Sequence, residues 1–344
     1  MRKENCFKME KRLNWIWLPL MMSIFGLYAI QRGFSVFAKA ADFPIPHVKE
    51  ALAIYFTVMS IAILIGGYLL DNRPTREIIL IATFLGIIGV LLLQYSALGF
   101  GLVFGSAGAL LKLAPFSAPM KLFNKNEGIK VWPQAAAKNL GGAAFILFLG
   151  AALMKLGWVY SSYILCSVFL ASGIAAYLML PNDKIEGWNW GIFKEVATQG
   201  KFWGFCLYSF FMCGFYYLAV MEMYPGLKAA GIDPKFALTI LAISFLCCGA
   251  LRYPSGWLGH QEFKGFKIRL PLMWITTAGM GISIPLVHYN AYLGLTIFTI
   301  CSAFQTPNYW TYVKENWGAT YVSTVQSLGF VAQYIGVGMM YGKW

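Results

Sequence analysis

The chain has 344 residues, of which 59% are hydrophobic and 12% are charged, and its formal net charge is +13. Soluble domains carry roughly 25% charged residues, so this composition excludes a soluble or secreted globular protein. The basic excess contains no run interleaved with aromatic residues in the manner of a nucleic-acid-binding surface, so nucleic acid is not an expected partner.

Apolar segments long enough to cross a bilayer, about 18 or more residues, recur along the whole chain. Eleven segments qualify: 15–38, 51–70, 78–95, 98–120, 131–154, 159–180, 202–224, 237–258, 270–287, 292–313 and 321–341. The first follows basic residues as a signal peptide does, but it is longer than a signal peptide and more spans follow it. The sequence therefore predicts an all-α, multi-pass integral membrane protein.

The placement of the basic residues orients these spans. When the N-terminus is taken as cytoplasmic, seventeen Lys and Arg residues fall on the cytoplasmic side and six on the opposite side. This positive-inside bias predicts a cytoplasmic N-terminus and a location in the cell (inner) membrane.

Cysteine, histidine and catalytic patterns give no sign of an enzyme. Six of the seven cysteines lie inside predicted spans without paired spacing, and the three histidines form no cluster. The sequence has no GxSxG, HExxH or phosphate-binding glycine loop. We therefore expect no catalysis, no metal and no cofactor.

An internal repeat relates the two halves of the chain. Residues 32–71 align without gaps on residues 221–260 at an offset of 189, with nine identities that include Gly67 with Gly256. The copies run in the same sense, because spans one and seven both start on the cytoplasmic side. The predicted organisation is an N-terminal six-helix bundle at 1–185, a cytoplasmic linker at 186–201, and a C-terminal bundle at 202–344. The C-terminal bundle has five spans and looks truncated, with a twelfth span missing.

The segment at 67–76, after span two, reads Gly-Tyr-Leu-Leu-Asp-Asn-Arg-Pro-Thr-Arg. It resembles the signature between helices two and three of the major facilitator superfamily. The match holds at Gly67, Leu69, Asp71 and Arg76, and it fails at 72, 74 and 75. In that family this segment acts as a latch between two bundles, so the resemblance implies that Gly67, Asp71 and Arg76 form the latch.

The resemblance also implies the fold, because parallel repeats of six spans about an axis along the membrane normal characterise this superfamily. Two bundles would enclose a central cavity lined by spans one, four, seven and ten, with spans five and eight beside it. Two shorter segments, Lys-Asn-Leu-Gly-Gly at 138–142 and Arg-Gly-Phe at 32–34, are similar to organophosphate–phosphate antiporters. The segment Arg-Tyr-Pro-Ser-Gly-Trp-Leu at 252–258 is similar to nitrate/nitrite porters. Each branch match is incomplete, since Met221 stands opposite Arg32 in the repeat, and Ile63 stands opposite Arg252.

Five charged residues lie within the predicted spans: Arg32, Lys112, Lys138, Glu222 and Arg252. A charge at the bilayer centre costs at least ~2.5–3.5 kcal/mol on insertion scales, so each is expected to face a cavity or a partner. Their sum of +3 would attract an anion. The alternative without a transport role is that each side chain extends to the membrane interface or forms a purely structural pair with another group.

The resemblance implies a secondary active transporter that works by alternating access, and the intramembrane charges predict that it moves a small anion, an organic phosphate or carboxylate. Arg32, Lys112 and Lys138 would hold the charge of the substrate, with Arg252 beside them and Tyr28 facing the same side as Arg32 one helical turn away. Glu222 would couple a proton or pair with a lysine. A nitrate/nitrite-type porter and a non-transporting membrane scaffold or sensor stay open as alternatives. The expected partners are the anionic substrate, a coupled proton or a counter-anion, and the lipid bilayer.

Overall fold

The computed structural model describes residues 17–37, 48–122, 132–181, 190–263, 266–318 and 322–341. Within these ranges the chain forms thirteen α-helices. They are α1 (Trp17–Phe37), α2 (Val48–Asn72), α3 (Thr75–Leu92), α4 (Ala97–Leu122), α5 (Trp132–Ala144), α6 (Gly150–Met179), α7 (Trp190–Ala197), α8 (Gly200–Ala229), α9 (Pro234–Leu258), α10 (Arg269–Tyr289), α11 (Ala291–Ala303), α12 (Gln305–Trp317) and α13 (Val322–Tyr341). Two short strands, β1 (Glu262–Phe263) and β2 (Phe266–Lys267), pair antiparallel between α9 and α10.

Each of the eleven predicted spans corresponds to a helix or to a pair of consecutive helices. Span five is composite, because a π-helical turn at Phe145–Leu149 joins α5 to the start of α6. Span six begins after Gly157, whose φ of 76° breaks α6 in a backbone conformation that favours glycine. Among the described residues, seven helices are by themselves long and apolar enough to cross a membrane: α2, α3, α4, α6, α8, α9 and α10.

Small residues bring neighbouring helices of the N-terminal half close together. Along α4, a Cβ added at Gly105 would lie 3.0 Å from the Tyr55 carbonyl of α2, and one at Gly108 would lie 2.7 Å from the Tyr55 hydroxyl. Close backbone approach of this kind is the usual role of glycines spaced along one face of a membrane helix. The interior between these helices is apolar and aromatic, with Phe100 and Phe104 stacked at 5.0 Å.

Two helix pairs join the N-terminal half of the chain to the C-terminal half. Helix α2 packs along α13, and α5 packs along α9, while α1 contacts α8 between them. In the internal repeat, span two is equivalent to span eight, and span five is equivalent to span eleven. A rotation that exchanges the two halves would therefore exchange these two contacts, as a parallel repeat requires. The predicted domain limits lie partly at 182–189, outside the described residues, and stay a prediction.

Candidate functional site

A cavity lies between the two halves. Helices of both halves contribute to its wall: α1, α4 and α5 from the first, and α8, α9, α11, α12 and α13 from the second. The lining residues are Tyr28, Arg32, Lys112, Phe116, Lys138, Met212, Cys213, Tyr216, Tyr217, Arg252, Ser302, Gln305, Thr306, Tyr309, Trp310, Phe330 and Gln333. The structure thus brings together all five residues that the sequence predicts to bind substrate.

Four basic side chains are among the described residues that line this cavity, and no aspartate or glutamate is among them. Arg32 and Arg252 are each 1% exposed and Lys112 is 4% exposed, so most of this charge is removed from water. Burying charges without opposite charges beside them is unfavourable unless other groups or a ligand compensate. The cavity is therefore strongly electropositive.

Glu222 is not among the described residues that line the cavity, and its coupling or charge-pairing role stays a prediction. Its carboxylate on α8 lies 3.2 Å from the imidazole Nε2 of His288 on α10. The reason is helical geometry: Tyr216 and Tyr217 face the cavity, and five or six residues further along, an α-helix with 100° per residue points elsewhere. Among the described residues, Glu222 therefore pairs with a histidine outside the cavity and is not placed beside the four basic side chains.

Arg32 is surrounded by aromatic faces. Its guanidinium carbon lies 5.3 Å from the ring centroid of Tyr28, 5.0 Å from that of Tyr216 and 5.6 Å from that of Phe245. Such cation–π contacts contribute about 0.5–2 kcal/mol each. Among the described residues, the Nε and Nη1 atoms of Arg32 have no hydrogen-bond partner. The aromatic rings therefore stabilise the charge without satisfying these N–H groups.

Lys138 on α5 shares one of these rings with Arg32. Its Nζ lies 4.8 Å from the centroid of Tyr28 and donates a hydrogen bond to Thr306 Oγ1 at 3.3 Å. The two glycines that follow explain this proximity, because a Cβ at Gly141 would lie 2.9 Å from the Ala29 nitrogen of α1. A Cβ at 142 would likewise lie 3.2 Å from the Cβ of Arg32. The glycine pair therefore lets α5 approach α1 closely enough for both cations to reach one cavity.

Lys112 and Arg252 complete the basic group from other sides. The Nζ of Lys112 lies 3.5 Å from Gln333 Oε1 and within 4.7 Å of the ring centroids of Phe330 and Tyr334 on α13. Arg252 on α9 donates from Nη2 to the Ser302 carbonyl at 3.4 Å, while its Nε and Nη1 have no partner. Arg252 comes from the C-terminal half and the other three cations from the N-terminal half, so a ligand between them would contact both.

Sequence reasoning missed the residues that hold the cations in place. Phe245 contacts Arg32, Ser302 contacts Arg252, and Thr306 contacts Lys138. Aromatic, serine and threonine residues are common in membrane helices, so nothing in the sequence distinguishes these three. Phe116, Met212, Cys213, Trp310 and Phe330 were missed for the same reason. The one available signal was the repeat, in which Phe245 is one of the nine identities.

Two of the three residues of the predicted latch contact the other half of the chain, and the third contacts its own half. At the end of α2, Asp71 Oδ2 accepts a hydrogen bond of 2.6 Å from Thr324 Oγ1 of α13. A Cβ at Gly67 would lie 2.7 Å from Ser327 Oγ of the same helix, so glycine permits this contact. Arg76 instead lies 5.5 Å over the ring of Tyr177, within the N-terminal half. Gly67 and Asp71 therefore join the two halves, and the described contact of Arg76 does not.

Sequence comparison decides the family. The sequence model of the Major Facilitator Superfamily matches residues 5–340. The chain belongs to the major facilitator superfamily. No curated protein sequence matches it. Family membership makes the chain a multi-pass integral membrane transporter rather than an enzyme, and the predicted family is confirmed.

Solved structures of this superfamily share the fold. The proton:xylose symporter XylE, bound to 6-bromo-6-deoxy-D-glucose, aligns with a TM-score of 0.68 and 14% identity over 96% of this chain and 88% of that one. The human organic anion transporter MFSD10 aligns at 0.67 and 15% identity, over 96% and 92%. The E. coli fucose:proton symporter FucP aligns at 0.65 and 17% identity, over 93% and 89%. The predicted all-α major facilitator fold is thereby confirmed. At these sequence identities the structural likeness is evidence of the fold alone.

Proposed function

We propose that this transporter is a secondary active carrier that moves a small organic anion, bearing phosphate or carboxylate, through the central cavity. One observation carries the proposal: four basic side chains from both halves share one buried cavity, and the part of its lining that the structure describes includes no acidic residue. An anion between them would replace the missing countercharge. Its attraction to the cations would be stronger there than in water, because the effective dielectric constant inside a protein is lower.

The contacts between the halves support alternating access. Lys112 of α4 contacts Gln333 of α13, and Lys138 of α5 contacts Thr306 of α12, so two of the four cations already reach across the interface. A bound anion would contact groups of both halves. The Asp71–Thr324 hydrogen bond at the end of α2 would hold the cytoplasmic side closed. Rocking of the halves about the site, as in related folds, would then expose the anion to either side.

The two alternatives are less well supported. A nitrate-type porter is favoured by Arg252 on span eight, but three further basic side chains line the same cavity, and a nitrate ion carries only one negative charge. A scaffold derived from a transporter would gain nothing from four cations kept in the membrane interior, each of which costs about 2.5–3.5 kcal/mol on insertion scales.

Uptake by the purified chain in proteoliposomes tests the proposal. The assay compares radiolabelled succinate, glycerol 3-phosphate, inorganic phosphate and nitrate, with and without the same anion trapped inside the vesicles and with and without a proton gradient. We expect uptake of an organic anion that is abolished in Arg32→Gln and retained in Lys235→Gln, since Lys235 is exposed and outside the cavity. Uptake of nitrate in preference to the organic anions would favour the inorganic porter. Absence of uptake of all four, from vesicles that contain folded protein, would favour the scaffold.

A further inference from the structure

The cavity offers many more hydrogen-bond donors than acceptors. Lysine and arginine side chains only donate, and Arg32 and Arg252 each keep two unpartnered nitrogens. Among the described residues, the hydroxyls of Tyr28 and Tyr216 are also buried without a partner, and each of them can donate or accept. The neutral oxygens that face the cations are already engaged: Gln333 Oε1, Thr306 Oγ1 and the Ser302 carbonyl accept from Lys112, Lys138 and Arg252. A ligand that fits this wall must bring acceptors, because the N–H donors of the four basic side chains outnumber the acceptors, which are mainly the tyrosine hydroxyls and the Gln305 amide oxygen.

Apart from Gln305, the rest of the described wall is aromatic or sulfur-bearing. Phe116 and Trp310 stack with centroids 5.0 Å apart and planes 14° apart, and Phe330 meets Trp310 edge-on at 5.7 Å. Met212 and Cys213 extend this surface along α8. Surfaces of this kind hold flat apolar groups well. A hydroxyl pressed against them without an acceptor would weaken binding by roughly five- to 150-fold.

The cations also face the cavity from opposite halves. Arg252 projects from α9, while Arg32, Lys112 and Lys138 project from α1, α4 and α5. A ligand with a single negative charge would leave three cations unneutralised. A ligand with two or more charges could contact both groups at once.

We propose that the substrate carries at least two negative charges on a flat, apolar or aromatic body with few hydroxyls, and that it is not a sugar phosphate or another polyol. This inference rests on the proposed anion transport and narrows its substrate class. The shared chemistry is a doubly charged acceptor group, supplied either by one phosphoryl group or by two carboxylates.

Four probes separate charge, hydroxyl content and acid type. Phenyl phosphate and glucose 6-phosphate are both dianionic phosphate monoesters at pH 8 and differ in hydroxyl content. Phenyl phosphate and benzenesulfonate share a ring and differ in charge, and phthalate supplies the same ring with two carboxylates. Binding to the purified full chain is measured by thermal shift. A second readout is protection of Cys213, which lines the cavity, from a sulfonated methanethiosulfonate reagent, followed by peptide mass spectrometry.

We expect phenyl phosphate or phthalate to bind at least about tenfold more tightly than glucose 6-phosphate and benzenesulfonate. The preferred dianion should lose at least about tenfold in affinity in Arg252→Gln and nothing in Lys235→Gln. Equal or tighter binding of glucose 6-phosphate would overturn the hydroxyl-poor body while leaving anion transport intact. Equal binding of benzenesulfonate would overturn the two-charge requirement. If none of the four probes and no inorganic phosphate binds, the proposed function fails, and this inference fails with it.

Discussion

Replacing Lys112 by glutamine should separate the stability of this transporter from its activity. The lysine is 4% exposed and shares its cavity with three other cations. Two unit charges about 10 Å apart repel by about 1.7 kcal/mol at an effective dielectric constant of 20. Contacts with the Phe330 and Tyr334 rings offset part of this, by about 0.5–2 kcal/mol each. We therefore expect Lys112→Gln to unfold at the same temperature as the parent or a few degrees higher.

Transport should respond in the opposite direction. Removing one partner from a buried, hydrogen-bonded charge pair typically costs about 2–5 kcal/mol, which corresponds to about 30-fold to several thousand-fold in affinity. Anion uptake by Lys112→Gln in proteoliposomes should fall by at least about 30-fold. Lys112→Arg keeps the charge with a different shape, so it should retain partial activity.

The controls distinguish a binding role from a structural one. Lys235→Gln also removes one lysine charge, but from an exposed position, and should change neither uptake nor unfolding temperature. Normal uptake by Lys112→Gln would refute a role for this residue in binding. A drop of several degrees in its unfolding temperature, together with lost uptake, would show that the lysine stabilises the fold instead.

Three further predictions concern packing, the latch and topology. Gly141→Ala should lower the unfolding temperature by several degrees, because overpacking typically costs about 1–3 kcal/mol. The same change at Gly204 should not, because no atom lies within 4 Å of its Cβ position. Equal effects of the two substitutions would contradict the close contact of α5 with α1. Thr324→Val removes the hydrogen bond to Asp71 that would hold the cytoplasmic side closed. Cys213 in the cavity should therefore react faster with a thiol reagent added on the cytoplasmic side, and an unchanged reaction rate would exclude a latch. A membrane-impermeant maleimide should label Tyr289→Cys from outside intact cells, because this residue is 91% exposed at the end of α10; labelling only after permeabilisation would invert the topology.

The sequence predicts the membrane helices well because hydropathy and length decide them, and it fails where a helix is interrupted. Span ten, predicted as one segment at 292–313, is two helices that meet at Phe304. Pro307 lies in the first turn of α12, and because proline has no N–H, it cannot continue the hydrogen bonds of α11. A proline alone did not mark the break, however, because Pro225 and Pro254 lie inside helices that continue. The π-helical turn at Phe145–Leu149 had no such signal, since its residues are apolar and suit a regular helix equally well.

The site was predictable for the residues whose burial is energetically expensive. Arg32, Lys112 and Lys138 stand out because charges are rare in membrane spans, and the structure places all three in one cavity. Glu222 stands out for the same reason, but hydropathy does not say which way a side chain points, and the helix turns it toward His288.

The aromatic rings explain how so much positive charge can be buried without acidic partners. Arg32 lies over three rings and Lys112 over two, so ring faces take the place that carboxylates hold in an ordinary buried ion pair. A ring face stabilises a cation without neutralising it or using all of its N–H groups. A carboxylate at the same place would neutralise the cation and occupy its N–H groups, and an anionic substrate would then have to compete with it. A cavity that surrounds its cations with rings and neutral oxygens thus leaves the full countercharge to be supplied by whatever binds, which is the property that an anion carrier needs.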